Sequence, residues 1–217
     1  MAEGEAHRPA SPAETALTFV AHFEERSLTG HCELQLDAED EVALDIHQCI
    51  QVKEVTSQGC RLNFQAEDST LTVKLDRAKL ASLQIDFVVT PGSPALLWLE
   101  DGQLVVAQEH PGWARALFPS IRDLRSRYSL SIWVPEGMAV AAAGAQLKDP
   151  GGNLDGYRHF AFRIDQPVLS HSVAFVMGDL QQHPGGLATL LGQGESLQPQ
   201  QIQNTSRAPR SPCFLFA

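Results

Sequence analysis

No run of apolar residues in this chain approaches the roughly 20 that a bilayer-spanning helix needs, and positive charge is scarce. Lysine plus arginine number 16 against 26 aspartates and glutamates, for a formal net charge of −10. A negative balance of that size disfavours nucleic acid or an anionic membrane surface as the partner, because both are recognised through a positive field. Of the four cysteines, Cys32, Cys49, Cys60 and Cys213, no two form a C-x-x-C pair. The spacing gives neither a disulfide scaffold nor a zinc ribbon, and reduced thiols in a cytoplasmic chain are the simplest expectation. The N-terminus, Met1 to Pro9, is acidic and has no apolar core of the signal-peptide kind. Catalytic signatures are missing too. There is no H-E-x-x-H helix motif, no G-x-S-x-G elbow, and Gly192 and Gly194 do not open a phosphate loop. The eight histidines never stand three or four residues apart, so a helical metal pair is excluded.

What the sequence does have is a 43% hydrophobic composition over 217 residues, enough for a packed core. Its apolar residues alternate. Leu17, Phe19, Ala21 and Phe23 form one such run, and Cys32, Leu34 and Leu36 another. Val42–Ile46, Leu71–Leu75, Leu83–Phe87, Leu104–Ala107, Tyr128–Val134, Met138–Ala143, His159–Ile164 and Ser172–Met177 follow. A period of two puts one set of side chains in a core and the other in solvent, which is the signature of strands. Turn chemistry separates the runs at Thr29-Gly30, Ser57-Gln58-Gly59, Pro91–Pro94, Asp101-Gly102 and Pro150–Asn153. Short helical turns are expected at most over Asp76–Ser82, Ser120–Arg127 and Leu187–Leu191. The expected fold is therefore all-β, with antiparallel curved sheets or a sandwich over residues 16–180. Residues 1–15 are expected to be disordered. Residues 181–217 carry seven glutamines, four prolines, four glycines and one acidic residue, a composition expected of a disordered low-complexity tail.

Two groups of residues invite chemistry. His31 and Cys32 lie one strand before His47 and Cys49, and such residues meet a metal only if they share a face across neighbouring strands; no metal site is expected. The segment Leu104–Pro119 embeds Gln108, Glu109, His110, Trp113 and Arg115 between apolar runs. A polar cluster leaving a strand is a binding edge by its chemistry, or simply a loop with an arginine stacked on a tryptophan.

The order of these segments resembles the N-terminal β domain of the M1 zinc aminopeptidases, particularly the leukotriene A4 hydrolase and aminopeptidase B branch. Phe19–Phe23, Ser27-Leu28-Thr29-Gly30 and His31–Leu36 resemble the family's opening hairpin, and Leu44–Val55 its next step. Leu96–Leu99 resembles the segment before the family's T-Q-x-Q loop. Gln108–Pro119 resembles that loop and the R-x-x-F-P after it, with Arg115, Phe118 and Pro119 in place. Val134–Met138 and Phe162–Leu180 resemble later strands. The resemblance implies that Gln108 and His110 lie near a substrate's free amine. Arg115, Phe118 and Pro119 are implied to be structural loop residues. Ala107 stands for the family's Thr and His110 for its second Gln; a neutral imidazole accepts from an ammonium, whereas an imidazolium repels it.

The family's zinc ligands and its G-x-M-E-N strand have no counterpart in the sequence. No cofactor and no catalysis by the chain alone are therefore expected, and the chain is expected to be a non-catalytic or truncated aminopeptidase-like protein binding a protein or peptide. Two other expectations stand beside it: the β part of a zinc aminopeptidase whose catalytic part lies elsewhere, and an unrelated β-sandwich scaffold.

Overall fold

A computed structural model describes residues 13–36, 40–75, 81–99, 103–107, 110, 112–148, 150–152, 154–182 and 188–189. The described residues form strands and two single 3-10 turns, Ala114–Ala116 and Ser170–Ser172. In chain order the strands are β1 (Ala13–His22), β2 (Ser27–Leu36), β3 (Glu41–Asp45), β4 (Ile50–Ser57), β5 (Cys60–Arg61) and β6 (Phe64–Glu67). Next come β7 (Thr70–Lys74), β8 (Ala81–Val89), β9 (Leu96–Leu99), β10 (Leu104–Ala107), β11 (Arg125–Pro135) and β12 (Ala139–Ala142). The series closes with β13 (Ala145–Gln146), β14 (Tyr157–Leu169), β15 (Phe175–Gly178), β16 (Gln181–Gln182) and β17 (Ala188–Thr189).

Three sheets carry the fold. The largest has eight strands in the order β13-β14-β11-β1-β2-β8-β4-β5. A four-stranded sheet runs β12-β15-β10-β9, and a three-stranded sheet β3-β7-β6. The alternation read from sequence appears in β1, where buried residues occupy every second position. Its inward set, Leu17, Phe19 and Ala21, joins Cys32 and Leu34 of β2, Ile85 and Phe87 of β8, and Leu130 and Ile132 of β11. These pack with Leu44 and Leu71 of the three-stranded sheet and Val105 and Phe175 of the four-stranded sheet in one cluster. Phe19 ties the layers together, with its ring centroid 6.3 Å from Phe87 in the same sheet and 5.6 Å from Phe175 across the core. Bulges between Ser126 and Tyr128 and between Val52 and Glu54 break the register of the large sheet, and bulges add twist to a strand.

Several expectations change. Thr29-Gly30 is not a turn: both lie in β2, and Gly30 is paired to Phe19 on one side and Phe87 on the other. The chain reverses earlier, before Ser27, where Arg26 takes a φ of 50°. The sheets are not wholly antiparallel, because β1 runs parallel to β11 from Ala13↔Ser126 to Val20↔Trp133. Strand pairing replaces helix over Ser120–Arg127, where Ser120 bridges Asp45 and Arg125 opens β11. Residues 76–80 lie outside the described residues, and Ala81-Ser82 belong to β8. The first strand already runs from Ala13, before residue 16, with Thr15 buried and paired with Leu34; residues 1–12 lie outside the described residues. Within the stretch read as a tail, β16 pairs with β17; residues 190–217 lie outside the described residues. Ser57–Gly59 behaves as its chemistry requires. Gln58 and Gly59 both take positive φ, 50° and 78°, the conformation that suits the twist of the tight β4–β5 hairpin.

Candidate functional site

The polar segment after β10 folds as a short, pinned turn. Gln108 lies outside the described residues. His110 is exposed and stacks on Trp113 at 4.3 Å between ring centroids. This replaces the expected stacking of Arg115 on that tryptophan. The Gly112 N–H donates to His110 Nδ1 at 3.1 Å, and the Trp113 N–H to the His110 carbonyl at 3.0 Å. With Nδ1 occupied as an acceptor, a neutral His110 carries its proton on Nε2 and presents a donor outward.

The 3-10 turn Ala114–Ala116 follows, closed by Ala116 N–H to Trp113 C=O at 2.8 Å and Leu117 N–H to Ala114 C=O at 2.9 Å. Its last carbonyl is clamped from below. Ser93 Oγ donates to the Ala116 oxygen at 2.7 Å, and Cys49 Sγ lies 3.5 Å from the same atom. Phe118 and Pro119 are buried beneath the turn. The Phe118 ring meets Tyr128 edge-on at 6.1 Å. Phe118 and Pro119 are thus packed under the turn, and Arg115 is half-buried at its surface. Ser93 was missed in the sequence because its only signal was a Ser-Pro turn.

The thiols and imidazoles of the first two hairpins do not converge. Cys32 points into the core with no exposure, whereas its neighbour His31 points outward and meets Asp86 at 2.7 Å. The pleat sends adjacent side chains to opposite faces. His47 Nδ1 stands 3.1 Å from Cys49 Sγ and accepts from the Cys49 N–H at 3.3 Å. Burial pushes the Cys49 thiol above its usual pKa, more than hydrogen bonding from Ser93 lowers it. It therefore serves as a weak donor beneath the turn rather than as a thiolate. Among the described residues no three His, Cys, Asp or Glu side chains are grouped to hold a metal ion, so these residues do not fit the zinc that the resemblance implies.

Beside the turn lies an open cleft of about 430 Å³. It is lined by Gly112, Ala114 and Arg115 of the turn and by Leu169, Ser170 and His171 at the second 3-10 turn. Asp45 and Ser120, also in the lining, are joined by two backbone hydrogen bonds, Asp45 N–H to Ser120 C=O at 2.7 Å and the reverse at 3.1 Å. Arg122 grips the Asp45 carboxylate with Nε at 3.0 Å and a terminal nitrogen at 3.3 Å. That hydrogen bond and charge hold the Arg122 guanidinium above its ordinary pKa.

No protein-family model and no curated protein matches the chain. Solved structures do. Native leukotriene A4 hydrolase from Saccharomyces cerevisiae aligns over 79% of this chain at 25% identity, with a TM-score of 0.68. An M1 zinc metallopeptidase from Deinococcus radiodurans aligns over 78% at 18% identity, with a TM-score of 0.66. A variant of that enzyme bound to a Tyr-Ser-Ala substrate aligns over 83% at 18% identity, with the same TM-score. The chain spans 29% of the length of the yeast enzyme and 43–44% of the bacterial ones. A match of this extent removes the reading as an unrelated sandwich. In its described residues the chain has the fold of the N-terminal part of the M1 zinc metallopeptidases and is similar there to leukotriene A4 hydrolase.

Proposed function

We propose that this chain is an aminopeptidase-like β module that binds a protein or peptide partner and does not itself catalyse hydrolysis. The observation that carries the reading is the second face of the four-stranded sheet. Val105, Ala107, Phe175 and Met177 turn toward the main core. The alternate residues Leu104, Val106 and Val176 are themselves buried, in a second, smaller apolar cluster with Leu99, Ala141 and Leu180. Leu97, paired with Val106 in the register, is 38% exposed on that face. An antiparallel sheet at a surface ordinarily keeps one polar face; here the second face is apolar and covered within the chain over Leu104, Val106 and Val176, and Leu97 at its edge strand is the apolar side chain left open to a partner.

Gln108 and His110 are proposed to meet a peptide end; the outward Nε2–H of a neutral His110 donates, and so suits a peptide oxygen rather than the free amine that the resemblance implies. The chain is further proposed to be cytoplasmic and to bind no nucleic acid, in keeping with its acidity. Among the described residues no helix is long and apolar enough to cross a membrane. A second reading is supported by the share of each M1 enzyme that this chain spans: the module serves a zinc aminopeptidase whose catalytic part is supplied by another chain or a longer product.

The experiment has two arms. Purified chain is assayed for bound zinc and for turnover of fluorogenic amino-acyl substrates with zinc added. Neither stoichiometric zinc nor turnover is expected, and chelator-sensitive turnover by the chain alone overturns the reading. In cells, a photoreactive residue placed at Leu97 is expected to give a discrete adduct. The same residue at Ser131, on the outer face of the large sheet, is expected to give none. Equal labelling at both positions refutes docking on the four-stranded sheet. Turnover that appears only on mixing with a second chain supports the second reading.

A further inference from the structure

The cleft beside the Ala114–Ala116 turn contains more cationic hydrogen-bonding capacity than its own residues use. Its titratable groups are Asp45, Arg115, Arg122, Asp123 and His171. Asp45 and Arg122 satisfy each other in a two-pronged pair, which neutralises one of each sign. Arg115 and His171, which both line the cleft, enter no ion pair among the described residues. Ser170, next to His171, adds a hydroxyl to the lining. In a chain of net charge −10, a cleft whose two arginines balance its two aspartates, with a histidine besides, is less negative than the general field.

The walls are also built to hold their shape. Arg115 sits inside the 3-10 turn whose last carbonyl is held by Ser93 Oγ and approached by Cys49 Sγ. His171 sits inside the second 3-10 turn, closed by the Val173 N–H on the Ser170 carbonyl at 3.2 Å. A guanidinium on a pinned backbone offers a planar fork that matches a carboxylate's two oxygens. At about 430 Å³ the cleft is in the size range that receives a small ligand or the last residues of a peptide.

The geometry points to a carboxylate-binding site in this cleft: Arg115 takes the two oxygens of a peptide carboxylate, with Ser170 and His171 of the same lining as further donors. The inference deepens the peptide-binding reading and rests on it, but uses a surface separate from the four-stranded sheet. Asp123, at the cleft's rim, faces the ligand with like charge and favours peptides that carry no second acid there.

Calorimetric titration of the full chain tests it with three probes: acetylated trialanine as the free acid, the same peptide as its C-terminal amide, and an amide whose last residue is glutamate. The free acid is expected to bind with a Kd tighter than about 1 mM, and Arg115→Gln to weaken it at least tenfold, roughly the loss of one charge-assisted pair. Arg115→Lys keeps the charge but loses the fork, and is expected to recover only part of the affinity. Binding of the free acid but not of either amide assigns the carboxylate to the peptide terminus. Binding of the glutamate amide assigns it to a side chain. Equal affinity of all three probes overturns the proposal, as does an Arg115→Gln chain with unchanged circular dichroism and unchanged affinity. Failure of every probe to bind also overturns it, while leaving the crosslinking result at Leu97 to stand or fall separately.

Discussion

Gly30 lies in the middle of β2 with its backbone between Phe19 and Phe87, and replacing it by alanine tests the packing of the core directly. A Cβ built on Gly30 falls 2.3 Å from Phe87 Cζ, 2.4 Å from Cε2 and 2.8 Å from Cε1. Carbon atoms in contact prefer about 3.5–4.0 Å, so the ring must retreat by more than about 1 Å. It has little room to do so, being fully buried and edge-on to Phe19. Overpacking of this kind costs about 1–3 kcal/mol, and the geometry places Gly30→Ala in the upper half of that range. The reduced freedom of the unfolded chain returns roughly 0.5 kcal/mol, leaving a net loss of about 2 kcal/mol. For a chain of this size that lowers the Tm by about 4–8 °C. Urea denaturation of four proteins, wild type, Gly30→Ala, Phe87→Leu and the double variant, measures it. In the Phe87→Leu background the alanine methyl occupies space the ring has left, and its cost is expected to fall below about 0.5 kcal/mol, giving strong coupling between the two sites. Costs that add to within about 0.5 kcal/mol refute the reasoning, because the methyl would then not meet the ring at all.

Two further outcomes follow from the burial of particular side chains. Phe118→Ala removes the fully buried ring that anchors the candidate loop against Tyr128; a loss of about 3–5 kcal/mol is expected in the same denaturation assay, and a loss under about 1 kcal/mol would mean the loop is not held from beneath. Burial pushes the Cys32 thiol and the Tyr128 phenol up, the thiol further by the Glu33 charge and the phenol by Cys32, against a smaller lowering from Ser126. Their folded values exceed their unfolded ones, so their contribution is complete below the unfolded values, about 8.5 and about 10. It is lost as pH rises beyond them, by up to about 1.4 kcal/mol per pH unit for each group. Urea midpoints are therefore expected to fall between pH 9 and pH 10 through the thiol and more steeply above about pH 10 as the phenol joins, and Cys32→Ala to flatten the first part; a midpoint independent of pH up to about pH 11 refutes the burial of both groups.

Strand identity was legible in the sequence wherever one face alone is buried. In β1 the order Leu17, Phe19, Ala21 against Thr18 and Val20 needs only local chain geometry, since the pleat alternates side chains whatever the partner strand is. The all-β class was likewise marked by the absence of any helical period. The partners were not legible. That β1 runs parallel to β11, more than 100 positions along the chain, depends on how the intervening strands close around one core, and no local pattern encodes direction. Gly30 illustrates the same limit. Next to Thr29 it has the composition of a turn, yet its lack of a side chain serves the Phe87 ring from a strand 57 positions away. The cleft was invisible for a related reason. Asp45, Arg115, Arg122 and His171 come from four separate segments, and only the Asp45–Ser120 bridge and the two 3-10 turns bring them to one place. Alternation and turn chemistry are properties of a few adjacent residues and so mark strands locally; register, sheet order and the cleft arise from contacts between distant segments, which no local pattern carries.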